Sequence, residues 1–317
     1  MKITLLESIS ISEEYLLKFK ERLQKEGHEF VYYNERTEDE KELISRIGDS
    51  DIIILTNIPI NKNILEECPD LKMISVAFTG VDHIDLETCK KNNIIVCNSS
   101  GYANQAVAEL TFGLSISLLR NIKECDQAVR KGKTRKGLIG NELKGKKLGI
   151  IGTGEIGLEV AKLGAAFGCD LLGYDKVENK EAKKVGIKYL ELDELLQNSD
   201  IITVHLPLTA GTEHFIDSKR IKKIKPGAIF INAARGPIVD YEALIEAIEK
   251  GDIRGAGLDV FDREPPLKKS NPVFGSENVL LTPHIGFATQ EAFNKRAKIV
   301  FENIFCWLKG EVQNKMV

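Results

Sequence analysis

Short apolar runs alternate with amphipathic, charge-rich segments almost from one end of the chain to the other, and that alternation leaves few folds open. Lys2–Leu6, Phe30–Tyr33, Asp51–Leu55, Lys72–Ala77 and Ile94–Cys97 read as strands. Between them, Ser12–Lys25, Glu38–Ile47, Asn61–Glu67 and Ile84–Lys91 carry helical spacing. Continuous Ile, Val and Leu suit a strand covered on both faces, which is the condition of a parallel sheet. Repeated strand–helix alternation predicts a doubly wound α/β architecture.

The pattern restarts after Asn104–Lys131, a stretch read as one long helix, and a polar segment, Lys131–Lys147. Strands are then expected at Leu148–Gly152, Asp170–Tyr174, Ile201–His205, Ala228–Asn232, Gly255–Val260 and Val279–Thr282. With 317 residues there is room for two domains of ordinary size. The final helix, Glu291–Lys309, has no partner strand after it and fits either domain.

Composition removes several function classes. A formal charge of −3 gives no field to hold a polyanion, so no nucleic-acid partner is expected. No stretch approaches the roughly 18–20 apolar residues of a membrane helix, and the apolar run at the N-terminus stops at Glu7, too early for a signal peptide. A cytoplasmic location with no membrane contact follows as the expectation. The 6 cysteines have no CxxC or paired histidine spacing, so neither a zinc site nor a reactive thiol is expected.

Gly152-Thr153-Gly154-Glu155-Ile156-Gly157 follows the apolar strand and opens a helical pattern at Leu158–Phe167. In that context the glycines read as a dinucleotide fingerprint: a tight turn, close backbone approach to a pyrophosphate, and close helix–strand packing. The helix N-terminus adds unpaired N–H groups and partial positive charge. Asp175 closes the next strand, where a carboxylate accepts from ribose hydroxyls and repels a 2′-phosphate. NAD is therefore expected over NADP, with Lys176 as the opposing charge.

Three polar turns follow later strands: Asn232-Ala233-Ala234-Arg235-Gly236, Asp259 to Pro266, and Thr282-Pro283-His284-Ile285-Gly286. With these, Thr79-Gly80-Val81-Asp82-His83-Ile84-Asp85, Ala108-Glu109-Leu110-Thr111 and His205-Leu206-Pro207-Leu208-Thr209, nearly the whole chain resembles the D-isomer-specific 2-hydroxyacid dehydrogenases. The resemblance implies a flavodoxin-like substrate domain, residues 1–98 completed by 290–317, and a Rossmann NAD-binding domain, 99–289.

It also implies roles. Arg235 matches the arginine that grips the substrate carboxylate, His284 the general acid/base, and Glu264 the carboxylate that orients the imidazole. Cofactor contacts fall on Gly152, Gly154, Glu155, Ile156, Gly157, Asp175, Leu206, Ala233, Ala234, Arg235, Asp259, His284, Ile285, Gly286 and Phe287, with Asp259 directed to the carboxamide. Phe78, Thr79 and Gly80 form the loop that meets the substrate. His205 and His83 are competing histidines; His205 ends a strand near the crevice, in a segment that shapes the cofactor pocket with backbone.

By the same resemblance, Asn104–Lys131 builds a homodimer contact, and lobes close over the substrate. Val76 stands where phosphoglycerate-oxidising relatives carry an arginine, and Phe78 and Phe287 replace small residues. A small unphosphorylated 2-keto or 2-hydroxy acid (glyoxylate, hydroxypyruvate, pyruvate or similar) is the expected partner. Phosphoglycerate oxidation, and an NAD(H)-sensing scaffold like the corepressors of this fold, remain the alternatives.

Overall fold

The structure, a computed structural model, describes residues 1–263 and 267–317. Two compact units divide the chain: Met1–Ala103 with Ala288–Val317, and Asn104–Phe287.

In the first unit the order is β1 (Lys2–Leu5), α1 (Glu13–Lys25), β2 (Glu29–Tyr32), α2 (Glu40–Ile47), β3 (Ile52–Leu55), α3 (Lys62–Glu66), β4 (Met73–Val76), α4 (Leu86–Lys91) and β5 (Ile95–Cys97). Each of these helices starts where a short polar side chain can accept from the open first turn: Ser12, Asp39, Asn61 and Asp85 accept from Tyr15, Glu42, Ile64 and Thr88. The strands pair in parallel in the order β2-β1-β3-β4-β5, the flavodoxin-like arrangement. All four residues of β3 are fully buried, because alternate side chains meet helices on opposite faces. Ile53 and Leu55 join the core of α2 and α3, whereas Ile52 and Ile54 join that of α1 and the last helix, Gln290–Leu308. Burying each such side chain contributes about 1.5–3 kcal/mol.

The second unit runs α5 (Asn104–Arg120), α6 (Ile122–Arg130), β6 (Lys147–Ile151), α7 (Glu155–Ala166), β7 (Asp170–Tyr174), α8 (Lys180–Val185), β8 (Lys188–Tyr189), α9 (Leu192–Asn198), β9 (Ile201–Val204), α10 (Ser218–Ile221), β10 (Ile229–Asn232), α11 (Tyr241–Glu249), β11 (Gly255–Leu258) and β12 (Val279–Leu281). Its parallel order, β12-β11-β10-β9-β6-β7-β8, is the Rossmann winding extended by one edge strand. The order reverses between β6 and β9, and ligands of open α/β sheets lie beyond the carboxyl ends of strands at such a point.

Two expectations change. The long helix is broken: Asn121 adopts φ 51°, so α5 ends at Arg120, and the Arg254 guanidinium caps it by donating to Leu118 and Leu119 carbonyls and the Asn121 side chain at 3.2–3.3 Å. The second sheet also has β8, which the sequence reading left out because two residues show no periodicity.

Candidate active site

The fingerprint turn shows three different reasons for its glycines. Gly152 has φ 93°, and a Cβ there would meet the His205 carbonyl oxygen at 2.7 Å. At Gly157 a Cβ would strike the Gly152 carbonyl, so the first turn of α7 can lie against the loop only without one. Gly154 has ordinary φ and a Cβ would meet nothing of the protein within 4 Å. Only something outside the chain needs that space kept clear. The N-terminus of α7 lacks a side-chain cap, which leaves its first N–H groups for an anion. The residues present therefore fit a dinucleotide pyrophosphate. Glu155 accepts from the Asn104 side chain at 2.9 Å and ties α7 to the start of α5, with Ile156 half-buried beside it.

Asp175, half-buried at the end of β7, accepts from the backbone N–H of Thr153 at 2.7 Å and from its hydroxyl at 3.2 Å. The carboxylate is thus anchored to the glycine loop.

Arg235 and His284 are carried by turns that the fold locks together. The Asn232 side chain donates to the Arg235 carbonyl at 3.0 Å and to the Tyr241 hydroxyl at 2.9 Å, and that hydroxyl donates to the Val260 carbonyl at 2.7 Å. Asn232 also accepts from Ala234 N–H at 3.0 Å. A side chain at Gly236 would collide with the backbone of Phe261, so glycine lets the Arg235 turn close on the loop after β11. The half-buried Arg235 guanidinium donates to the Ala234 carbonyl at 2.7 Å, beside the buried Ala233. Leu206, half-buried, packs on the core one strand away.

His284 sits at φ 55°, a left-handed conformation that histidine tolerates better than bulky branched residues. Its backbone N–H donates to the Asp259 and Thr282 carbonyls at 2.8 and 3.0 Å. The Asp259 carboxylate, fully buried, accepts from the Thr282 hydroxyl at 2.5 Å and from the N–H groups of Ile285 and Gly286 at 2.8 Å each. The resemblance aims Asp259 at a cofactor amide; its oxygens also hold the histidine turn. The His284 and Phe287 rings meet edge to face, 5.5 Å apart.

Glu264 lies outside the described residues. Phe78, Thr79 and Gly80 belong to the first unit, where Ser99 N–H donates to the Phe78 carbonyl at 2.9 Å and the Asn98 side chain to the Thr79 carbonyl at 2.8 Å. Asn232, Tyr241 and Thr282 were given no role from sequence; for Asn232 and Thr282, a polar residue closing an apolar strand was the available signal. The cysteines are free, and burial pushes the Cys89 thiol up to about 12 and Cys97 to about 11, which keeps both uncharged. Among the described residues no helix is long and apolar enough to cross a membrane.

Residues 112–286 match the family model described as the NAD binding domain of D-isomer specific 2-hydroxyacid dehydrogenases. A glyoxylate reductase of Thermococcus litoralis is 39% identical over 285 residues, 87% of this chain and 86% of that protein. A D-3-phosphoglycerate dehydrogenase of Methanocaldococcus jannaschii is 40% identical over 281 residues, 87% of this chain, which spans about half (53%) of that longer relative. Among solved structures, an acyclic imino acid reductase in complex with NADPH and D-Arg superposes with a TM-score of 0.89 at 32% identity over 100% of both chains. Sequence, fold and phosphate loop agree: the chain belongs to the D-isomer specific 2-hydroxyacid dehydrogenase family and is an NAD(P)-dependent oxidoreductase.

Proposed function

We propose that the protein reversibly reduces a small unphosphorylated 2-keto acid to its D-2-hydroxy acid, with NAD(H) as the preferred dinucleotide. The observation that carries this reading is the locked pair of turns bearing Arg235 and His284 at the carboxyl end of the sheet that holds the glycine loop. When bound, the nicotinamide supplies the hydride that attacks the keto carbon. Arg235 grips the substrate carboxylate with its planar fork and polarises the neighbouring carbonyl. His284 donates the proton that the new alkoxide takes, and retrieves it in oxidation. Glu264 is assigned the orientation of His284 by the family pattern alone.

Asp175, tied to the glycine loop, supports NAD over NADP, since a fixed carboxylate repels a 2′-phosphate. The family resemblance assigns Phe78, Thr79 and Gly80 to the substrate and the glycine loop to the dinucleotide. Val76, fully buried within β4, has no means of holding a phosphate, which supports an unphosphorylated acid. Phosphoglycerate oxidation is the second reading, favoured by the methanogen relative's name. A homodimer fits the exposed apolar side chains of α6 and the segment after it: Ile122, Val129 and Ile139 are 48%, 74% and 88% exposed, and α6 buries no residue. A cytoplasmic site of action is proposed with it.

NADH oxidation against a panel of 2-keto acids, repeated with His284→Gln, tests the reading. Turnover on glyoxylate, hydroxypyruvate or pyruvate is expected to fall about 10²–10⁴-fold in the variant while NADH still binds. Tight NADH binding with no turnover on any acid in the wild type would favour a sensor, and 3-phosphoglycerate as the best substrate the second reading.

A further inference from the structure

The loop Phe78–Gly80 is held by residues distant in sequence but within the same unit. Ser99 N–H donates to the Phe78 carbonyl at 2.9 Å, and the Asn98 side-chain amide donates to the Thr79 carbonyl at 2.8 Å. A trans peptide is planar and carries its N–H on the side opposite its C=O. Holding these carbonyls therefore aims the N–H groups of Thr79 and Gly80 away from residues 98 and 99. Among the described residues neither N–H donates to anything. Successive open donors in a turn suit an anion.

Asn98, buried directly after β5, is itself fixed through its backbone. Its carbonyl accepts from the Asn303 side chain at 2.9 Å, and its N–H donates to the Asn314 carbonyl at 3.1 Å. The Asn314 side chain donates to Asn303 Oδ1 at 2.8 Å and closes the group. Asn303 is fully buried in the last helix, beside the core residues Phe301, Ile304 and Phe305. An apolar side chain would serve packing at that position. A buried amide whose partners are all supplied rigidifies what it binds, here the backbone of Asn98.

We propose that Asn98, clamped by Asn303 and Asn314, is a positioning residue that presets the Thr79 and Gly80 N–H groups for the substrate carboxylate. It touches no reacting atom and acts through one peptide plane. This rests on the assignment of the loop to a 2-keto acid and adds how its carboxylate site is made ready before binding. Donors fixed in advance need no ordering when the anion arrives, so losing them weakens the acid and spares hydride transfer.

Asn98→Ala removes the donor, whereas Asn98→Asp keeps the size and turns an oxygen toward the Thr79 carbonyl. The KM for glyoxylate and the inhibition constant of oxamate, an unreactive carboxylate, should rise roughly ten-fold in the Ala variant and further in the Asp variant. The kcat should stay within about three-fold and the NADH dissociation constant within about two-fold. A packing role predicts the reverse order, with the Asp variant the milder. Unchanged glyoxylate and oxamate constants overturn the proposal, as does that reverse order or an equal loss for NADH. A wild type that neither reduces glyoxylate nor binds oxamate overturns the reading of the loop, and this proposal with it. If neither Asn98 variant folds, Asn303→Ser decides, since it keeps the Asn98 side chain and loosens its backbone. Weaker oxamate binding there supports the proposal, and an unchanged constant overturns it.

Discussion

The backbone N–H of His284 donates to the Asp259 carbonyl at 2.8 Å, and the Asp259 side chain then takes the N–H groups of the next two residues. One buried aspartate thereby sets both ends of the turn that holds His284 at positive φ. Asp259→Asn replaces an acceptor oxygen by an NH₂ that faces another donor. Turnover should fall about 10²-fold, the cost of misplacing a reacting group by about an ångström. The NADH dissociation constant should stay within about three-fold. A variant with wild-type kcat would remove Asp259 from the positioning of His284.

Asp175 is fixed to the glycine loop by two hydrogen bonds from Thr153. Asp175→Ser removes the charge that opposes a 2′-phosphate. The ratio of kcat/KM for NADH over NADPH should drop at least about ten-fold, equivalent to about 1.4 kcal/mol. An unchanged ratio would leave dinucleotide choice to other groups.

Gly154 and Gly157 separate ligand space from packing space. At Gly154 an added Cβ meets no protein atom within 4 Å, so Gly154→Ala should leave the cofactor-free unfolding temperature nearly unchanged while weakening NADH binding roughly ten-fold or more. Gly157→Val drives a side chain into the Gly152 carbonyl and should cost several kcal/mol or prevent folding. Equal destabilisation by the two would sink the distinction.

Acid should destabilise the protein partly through its buried imidazoles. The folded pKa of His205 is lowered to about 4 from the ordinary 6.5, and burial lowers His83 as well. Between those values the unfolded chain binds a proton that the native ring refuses. Stability from His205 is therefore complete above about 6.5 and is lost as pH falls through about 4, up to about 3 kcal/mol. Urea midpoints at about pH 7 and about pH 4.5 should converge more in His205→Leu than in wild type. Identical pH dependence in both would show that His205 titrates normally.

The chain's neighbours along the sequence were enough to reveal the strands of both sheets, apart from β8, and the turn Gly152 to Gly157. Periodicity, strand-end glycines and the Asp175 carboxylate are local signals, since each depends on residues a few positions apart. The family motifs also marked Arg235 and His284. What holds those two in place was not legible. Asp259 and the N–H groups it accepts are 26 and 27 residues apart, and Tyr241 reaches a carbonyl 19 residues away. The break at Asn121 likewise depends on Arg254, 133 residues on. Local sequence determined most strands and helices and the phosphate loop, because backbone propensity and side-chain periodicity act over one or two turns. Only the tertiary structure decided which buried acceptors were filled and which, as at His205, were left open. Satisfying a buried polar group depends on what the fold brings beside it.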